Sequence, residues 1–151
     1  MIYGVDASFL VQLAVADLPG HQGAQTLKDR LIKESARLAL APQTLAEFVH
    51  VITDPRRFSN PLPVEVAVSH SERWWNLEEV VPVFPDQEAI VLFHRWMAVH
   101  RLGRKRLLDT LLAATFCSHG VERLITSDPG GFSVFGCFDL IDPLGDVPPA
   151  G

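Results

Sequence analysis

At 151 residues, 48% apolar and 21% charged, the chain suits one domain with a full core and is too apolar for a disordered segment. The net charge of −5 excludes a broadly cationic, nucleic-acid-coating surface but not a local basic patch. No apolar run approaches the roughly 20 residues of a membrane span, and no signal-peptide pattern opens the chain. Cys117 and Cys137 fit no metal or redox spacing, so reduced thiols of a cytoplasmic protein are expected.

Residues 1–5 read as a short buried strand, followed by a helix to about residue 17 with Asp6 or Ser8 as its cap. A turn at Leu18-Pro19-Gly20-His21 leads to a helix over about 22–34 with Ala24, Leu27 and Leu31 on one face. Residues 37–41 form a second strand, and 43–53 a helix with Leu45, Phe48, Val49 and Ile52 at helical spacing. The stretch 54–61 is irregular, a rim to a site. Pro63 opens a helix through about residue 75, and 79–84 is a third strand containing Pro82. Asp86 caps a helix to about residue 100, which Leu102-Gly103 breaks. A helix from 105 or 106 to about 119 ends at Gly120, and 122–126 is a fourth strand. Asp128-Pro129-Gly130-Gly131 reads as a turn, 138–141 as a short edge strand, and 143–151 as a frayed Pro/Gly-rich tail. Alternating strands and helices predict a parallel sheet with helices on both faces, in one domain over 1–142. Trp74, Trp75 and the stripe Phe93, Trp96, Met97 are expected in or against the core.

Four acids carry the chemistry. Asp6 and Asp128 follow the first and fourth strands, Glu47 lies on the 43–53 helix, and Asp109 lies in a first helical turn. Ligands of such sheets bind beyond the carboxyl ends of the strands. An ionised carboxylate against apolar surroundings costs roughly several kcal/mol unless paired. Several of them in one place repel, and a hard cation such as Mg²⁺ or Mn²⁺ relieves that repulsion. The chemistry this suggests is metal-dependent phosphodiester hydrolysis. Each acid alone also has an ordinary reading: a helix cap for Asp6 and Asp109, a solvated side chain for Glu47, a turn starter for Asp128.

Between His94 and Asp109 the chain holds Arg95, Arg101, Arg104, Lys105 and Arg106 and no acid. Arg101, Arg104 and Lys105 are therefore candidates for phosphate contacts as well as for a solvated, dipole-compensating helix end. The six histidines show no zinc spacing, and no glycine-rich phosphate loop or nucleophile elbow is present.

The fragments Val5-Asp6-Ala7-Ser8, Ala46-Glu47-Phe48, Leu108-Asp109-Thr110-Leu111-Leu112-Ala113-Ala114 and Ile125-Thr126-Ser127-Asp128 resemble, in order and context, the PIN domains. Within them the chain is most similar to VapC-type toxins of bacterial toxin–antitoxin pairs. The ordered set of four acids, at gaps of 41, 62 and 19 residues, carries the resemblance. It implies a three-layer sandwich around a parallel sheet of four to five strands. It also implies an acidic cluster of Asp6, Glu47, Asp109 and Asp128, with Asp6, Asp109 and Asp128 as Mg²⁺ or Mn²⁺ ligands and with Ser8 and Thr126 as supporting hydroxyls. The implied activity is a toxin endoribonuclease that cuts structured tRNA or rRNA with metal-activated water. A VapB-like antitoxin covering the acidic pocket and a homodimer are implied as partners. One departure stands out. Many such chains read Thr-x-Asn-x-x-Asp-Phe, whereas this one has Asp128 in the Asn place and Gly131 in the Asp place. A PIN nuclease of RNA processing, or a non-catalytic module on the same fold, are the alternatives.

Overall fold

The computed structural model describes residues 1–145. In chain order these form β1 (Ile2–Val5), α1 (Ala7–Ala14), α2 (His21–Lys33), β2 (Arg37–Leu40), α3 (Pro42–Ile52), α4 (Val64–Trp75), β3 (Val80–Pro82), α5 (Gln87–Val99), a 3-10 turn (Arg104–Arg106), α6 (Leu107–Ser118), β4 (Arg123–Ile125), α7 (Pro129–Ser133) and β5 (Asp139–Ile141). The five strands are all parallel, in the order β3-β2-β1-β4-β5. That order puts β1 at the centre and reverses the winding there, the switch point at which such sheets hold ligands.

Alternation along the strands builds two cores. Tyr3, Val5, Leu40 and Ile125 face a layer made by α1 to α4. Ile2, Ala39, Val81 and Leu124 face the opposite layer, which contains Trp96, Leu112, Phe116 and Phe132. The expected three-layer sandwich is the one observed. Gly4 also faces this second layer: a Cβ there would stand 3.1 to 3.2 Å from the Phe116 ring, so the missing side chain lets α6 lie close on β1. Trp96 is buried, with Phe93 packed beside it, and Trp74 and Trp75 pack at the edge of the first core.

Pro82 is accommodated because β3 is an edge strand and Pro82 its last residue. Three expectations need correction. The break after α5 falls on Arg101, which takes φ 50°, rather than on Leu102-Gly103. The Leu102 amide closes back on Met97 O at 3.2 Å, and this closure holds the left-handed residue. The first helix stops at Ala14, three residues early: the Val15 amide closes the last helical bond on Val11 O, and Val15 itself is extended at φ −114°, ψ 102°. Residues 129–133 are a short helix rather than a turn, since Pro129 is preset for a first helical position and Asp128 caps it. Of the C-terminal segment, 143–145 is a turn and residues 146–151 lie outside the described residues. No described helix is long and apolar enough to cross a membrane.

Candidate active site

Asp6 ends β1 at the sheet's centre and caps α1, and only 7% of it is exposed. Its Oδ1 accepts from Ala7 N at 2.9 Å. Its Oδ2 accepts from Ser8 Oγ at 3.0 Å and Thr126 Oγ1 at 2.8 Å. The two hydroxyls are themselves fixed by neighbouring amides: Ser127 N donates to Ser8 Oγ, and Asp128 N to Thr126 Oγ1, both at 3.0 Å. Thr126 is fully buried and joins Asp6 to the backbone of Asp128 through one oxygen.

Glu47 reaches the same place because Thr44 Oγ1 donates to Val5 O at 3.0 Å. This bond ties the first turn of α3 to the end of β1, and Glu47 lies nearly one turn further on. Asp109 sits in the first turn of α6, where the helix dipole favours an anion, and Arg106 Nε lies 3.9 Å from its Oδ2. Asp128 is more exposed and caps α7, its Oδ1 accepting from Gly131 N at 3.2 Å. Capping is thus a real role of Asp6, as its ordinary reading expected; Asp128 caps a helix where a turn was expected, and Asp109 does not cap α6, whose N-cap position is Arg106.

Electrostatics show the convergence. Burial pushes the Asp6 carboxyl above its usual range, against the bonds from Thr126, Ser8 and Ala7, and the Asp128 charge adds to the rise. Glu47 is raised to about 7, first by burial and then by the charges of Asp6 and Asp109, with Arg57 opposing. Asp109 is raised by burial and by Asp6, opposed by Arg106, with Asp128 adding to the rise. Asp6 and Asp109 thus lie in the field of Asp128, and Glu47 in that of Asp6 and Asp109, at the carboxyl ends of β1 and β4. Asp6, Ser8, Glu47 and Ser127 line one cleft of about 270 Å³, together with Arg57 and Phe58 from the loop after α3.

The donors are all carboxylate and hydroxyl oxygens, the chemistry suited to Mg²⁺ or Mn²⁺, and their mutual repulsion suits an added cation. Among the described residues, no three acids stand ready as direct ligands of one ion. The set fits a hydrated cation, because Mg²⁺ keeps several waters and takes only one or two carboxylates.

Arg101, Arg104 and Lys105 are exposed on the connection into α6. Two cations of the site escaped the sequence reading. Arg57 looked like one more loop residue, and its approach to Glu47 depends on how 54–61 folds back. Arg106 belonged to the basic stretch, yet it turns inward. Its three-residue spacing from Asp109 was the available signal.

No family model matches the chain. Ribonuclease VapC24 of Mycobacterium tuberculosis is 30% identical over 147 residues, covering 93% of this chain and 95% of that one. Among solved structures, VapBC-1 from nontypeable Haemophilus influenzae superposes with a TM-score of 0.68 at 18% identity, covering 95% of this chain and 99% of the other. The Mycobacterium tuberculosis toxin VapC20, described as cleaving the sarcin–ricin loop, superposes with a TM-score of 0.61 at 18% identity, covering 82% and 87%. Fold, chain-wide identity and the gathered acids agree: the chain belongs to the VapC family of PIN-domain proteins.

Proposed function

We propose that this chain is a Mg²⁺- or Mn²⁺-dependent endoribonuclease, the toxin of a toxin–antitoxin pair. The observation that carries this reading is the buried Asp6, held by three donated hydrogen bonds and lying in the field of other carboxylates. The relative VapC24 carries the name ribonuclease, and several structural neighbours are toxin–antitoxin complexes, in support of the same reading. Asp6 and Asp109 would hold the cation, with Asp128 direct or through water. The cation supplies charge neutralisation at the scissile phosphate and a water of lowered pKa.

The chain's own groups do the rest. Ser8 and Thr126 keep the Asp6 carboxylate from rotating, and Ala7 N fixes its other oxygen. Glu47, set against the end of β1 by the Thr44 bond, would complete the shell of the cation or orient the attacking water. Arg101, Arg104 and Lys105 hold flanking phosphates, each steepening the salt dependence. The substrate is structured RNA of the tRNA or rRNA kind, and the protein works in the cytoplasm as a homodimer. An antitoxin segment with a basic side chain would neutralise the acidic cleft. A separate groove of about 680 Å³, lined by Leu31, Leu38, Trp74 and Leu77 together with Lys28, Arg37, Glu78 and Glu79, would offer surface to a protein partner.

The test compares the chain with Asp6→Asn and Asp109→Asn on RNA, with Mg²⁺ and with chelator. Cleavage that needs Mg²⁺ and is lost in both variants is expected; cleavage unchanged by chelator or by either substitution removes the mechanism. Growth arrest on expression of the chain alone, relieved by Asp6→Asn, is expected of a toxin.

A further inference from the structure

The contact between α6 and α7 holds an arrangement that the mechanism above does not use. The bond from Gly131 N draws the Asp128 carboxylate back over its own helix. A Cβ built on Gly131 would fall on Asp128 Oδ2, 3.0 Å from its Cγ, and would lie 3.3 Å from Arg106 Nη2. The carboxylate of residue 128 thus occupies the space that a side chain of residue 131 would fill. Arg106 closes the arrangement from the other side. Its Nη2 donates to Gly131 O, and its Nε lies 3.9 Å from Asp109 Oδ2. Among the described residues that Nε is buried without a hydrogen-bond partner, so the guanidinium is held by its two neighbours rather than by a full set of bonds.

We propose that Gly131 and Arg106 are positioning residues of the acidic site. The absent side chain at 131 is the berth of the Asp128 carboxylate, and the Arg106 guanidinium spans Gly131 O and Asp109, fixing α7 against α6. The two acids then stay within reach of one cation, although one sits on a helix and the other on an exposed loop end. The same arrangement accounts for the altered pattern in the sequence. With glycine at 131, the space a side chain there would take is open to the carboxylate of Asp128. This inference rests on the metal-site reading given above.

The experiment is calorimetric titration of the full chain with Mn²⁺, alongside thermal unfolding without metal. The wild type is compared with Asp6→Asn, Asp128→Asn, Gly131→Ala, Arg106→Met and the exchange variant Asp128→Asn/Gly131→Asp. Gly131→Ala and Arg106→Met are expected to weaken Mn²⁺ binding about 10–100-fold, the usual effect of losing a group that orients a ligand. Their metal-free unfolding midpoints serve as the control for a merely structural effect. The exchange variant is expected to recover most of the affinity lost in Asp128→Asn, which keeps the idea testable if the alanine variant does not fold. Binding that is lost in Asp6→Asn yet unchanged in Gly131→Ala and Arg106→Met overturns this inference alone, as does an exchange variant no better than Asp128→Asn. No Mn²⁺ binding by the wild type removes the metal reading and this inference with it.

Discussion

Replacing Glu47 with glutamine separates the energetic burden of the acidic cleft from its chemistry. In the folded chain the Glu47 carboxyl is raised from its ordinary 4.5 to about 7, first by burial and then by Asp6 and Asp109. The unfolded chain therefore releases this proton first. Between about 4.5 and 7 it binds fewer protons than the folded chain, so stability falls as pH rises through that window. The full rise corresponds to about 3 kcal/mol at 1.36 kcal/mol per tenfold change in proton affinity. The side chain is partly open to water, and screening reduces this to about 1–2 kcal/mol. In chelator, Glu47→Gln at pH 8 should thus be more stable than the wild type by about 1–2 kcal/mol, and the advantage should vanish by about pH 4. Urea denaturation at pH 4, 6 and 8 measures it. Added Mg²⁺ should narrow the difference, since a cation favours the ionised wild-type cleft. A variant equal to or weaker than the wild type at pH 8 would refute the claim that these charges oppose one another.

Thr126→Val removes a donor to a buried carboxylate and leaves the Asp128 amide without its 3.0 Å partner. A loss of about 2–3 kcal/mol is expected at pH 8, and less at acid pH, because the bond favours ionised Asp6. Thr126→Ser should retain most of the stability; equal loss in both variants at every pH would tell against the hydroxyl's role. Burial, followed by the Cys117 thiol 3.0 Å away, pushes Cys137 up to about 12, so it stays protonated at pH 8. Iodoacetamide should label Cys137 at least about 100-fold more slowly than a free cysteine. Mass spectrometry of the native, labelled chain reads this, and labelling at the free rate would contradict it.

Much of the fold was legible because each element carried its own signal. The short apolar runs of β1 and β2, the helical stripe Phe48–Ile52 in α3 and the cap at Asp86 gave ends within one or two residues of those observed. Asp6 and Asp128 were legible as positions after strands, Asp109 as a first-turn residue and Glu47 as a residue of the α3 helix. The hydroxyls Ser8 and Thr126 were named only through family likeness, since nothing in local sequence shows that two oxygens 118 residues apart share one carboxylate. Arg57 and Arg106 were missed as site residues for a related reason: charge in a loop or basic run says nothing of which way the side chain turns. The helix over 129–133 was hidden by two glycines that usually mark a turn. Here the Asp128 cap and Pro129 outweigh them.

Gly4 lies two residues before Asp6, and Phe116 lies seven after Asp109, so their contact sets how far apart the strand and helix bearing those acids can stand. A methyl group added there would act as a shim beneath α6, tilting Asp109 without touching it. The spacing between these two acids is therefore set in the hydrocarbon interior. A side chain at this one interior position would shift the Asp6–Asp109 pair as well as strain the fold.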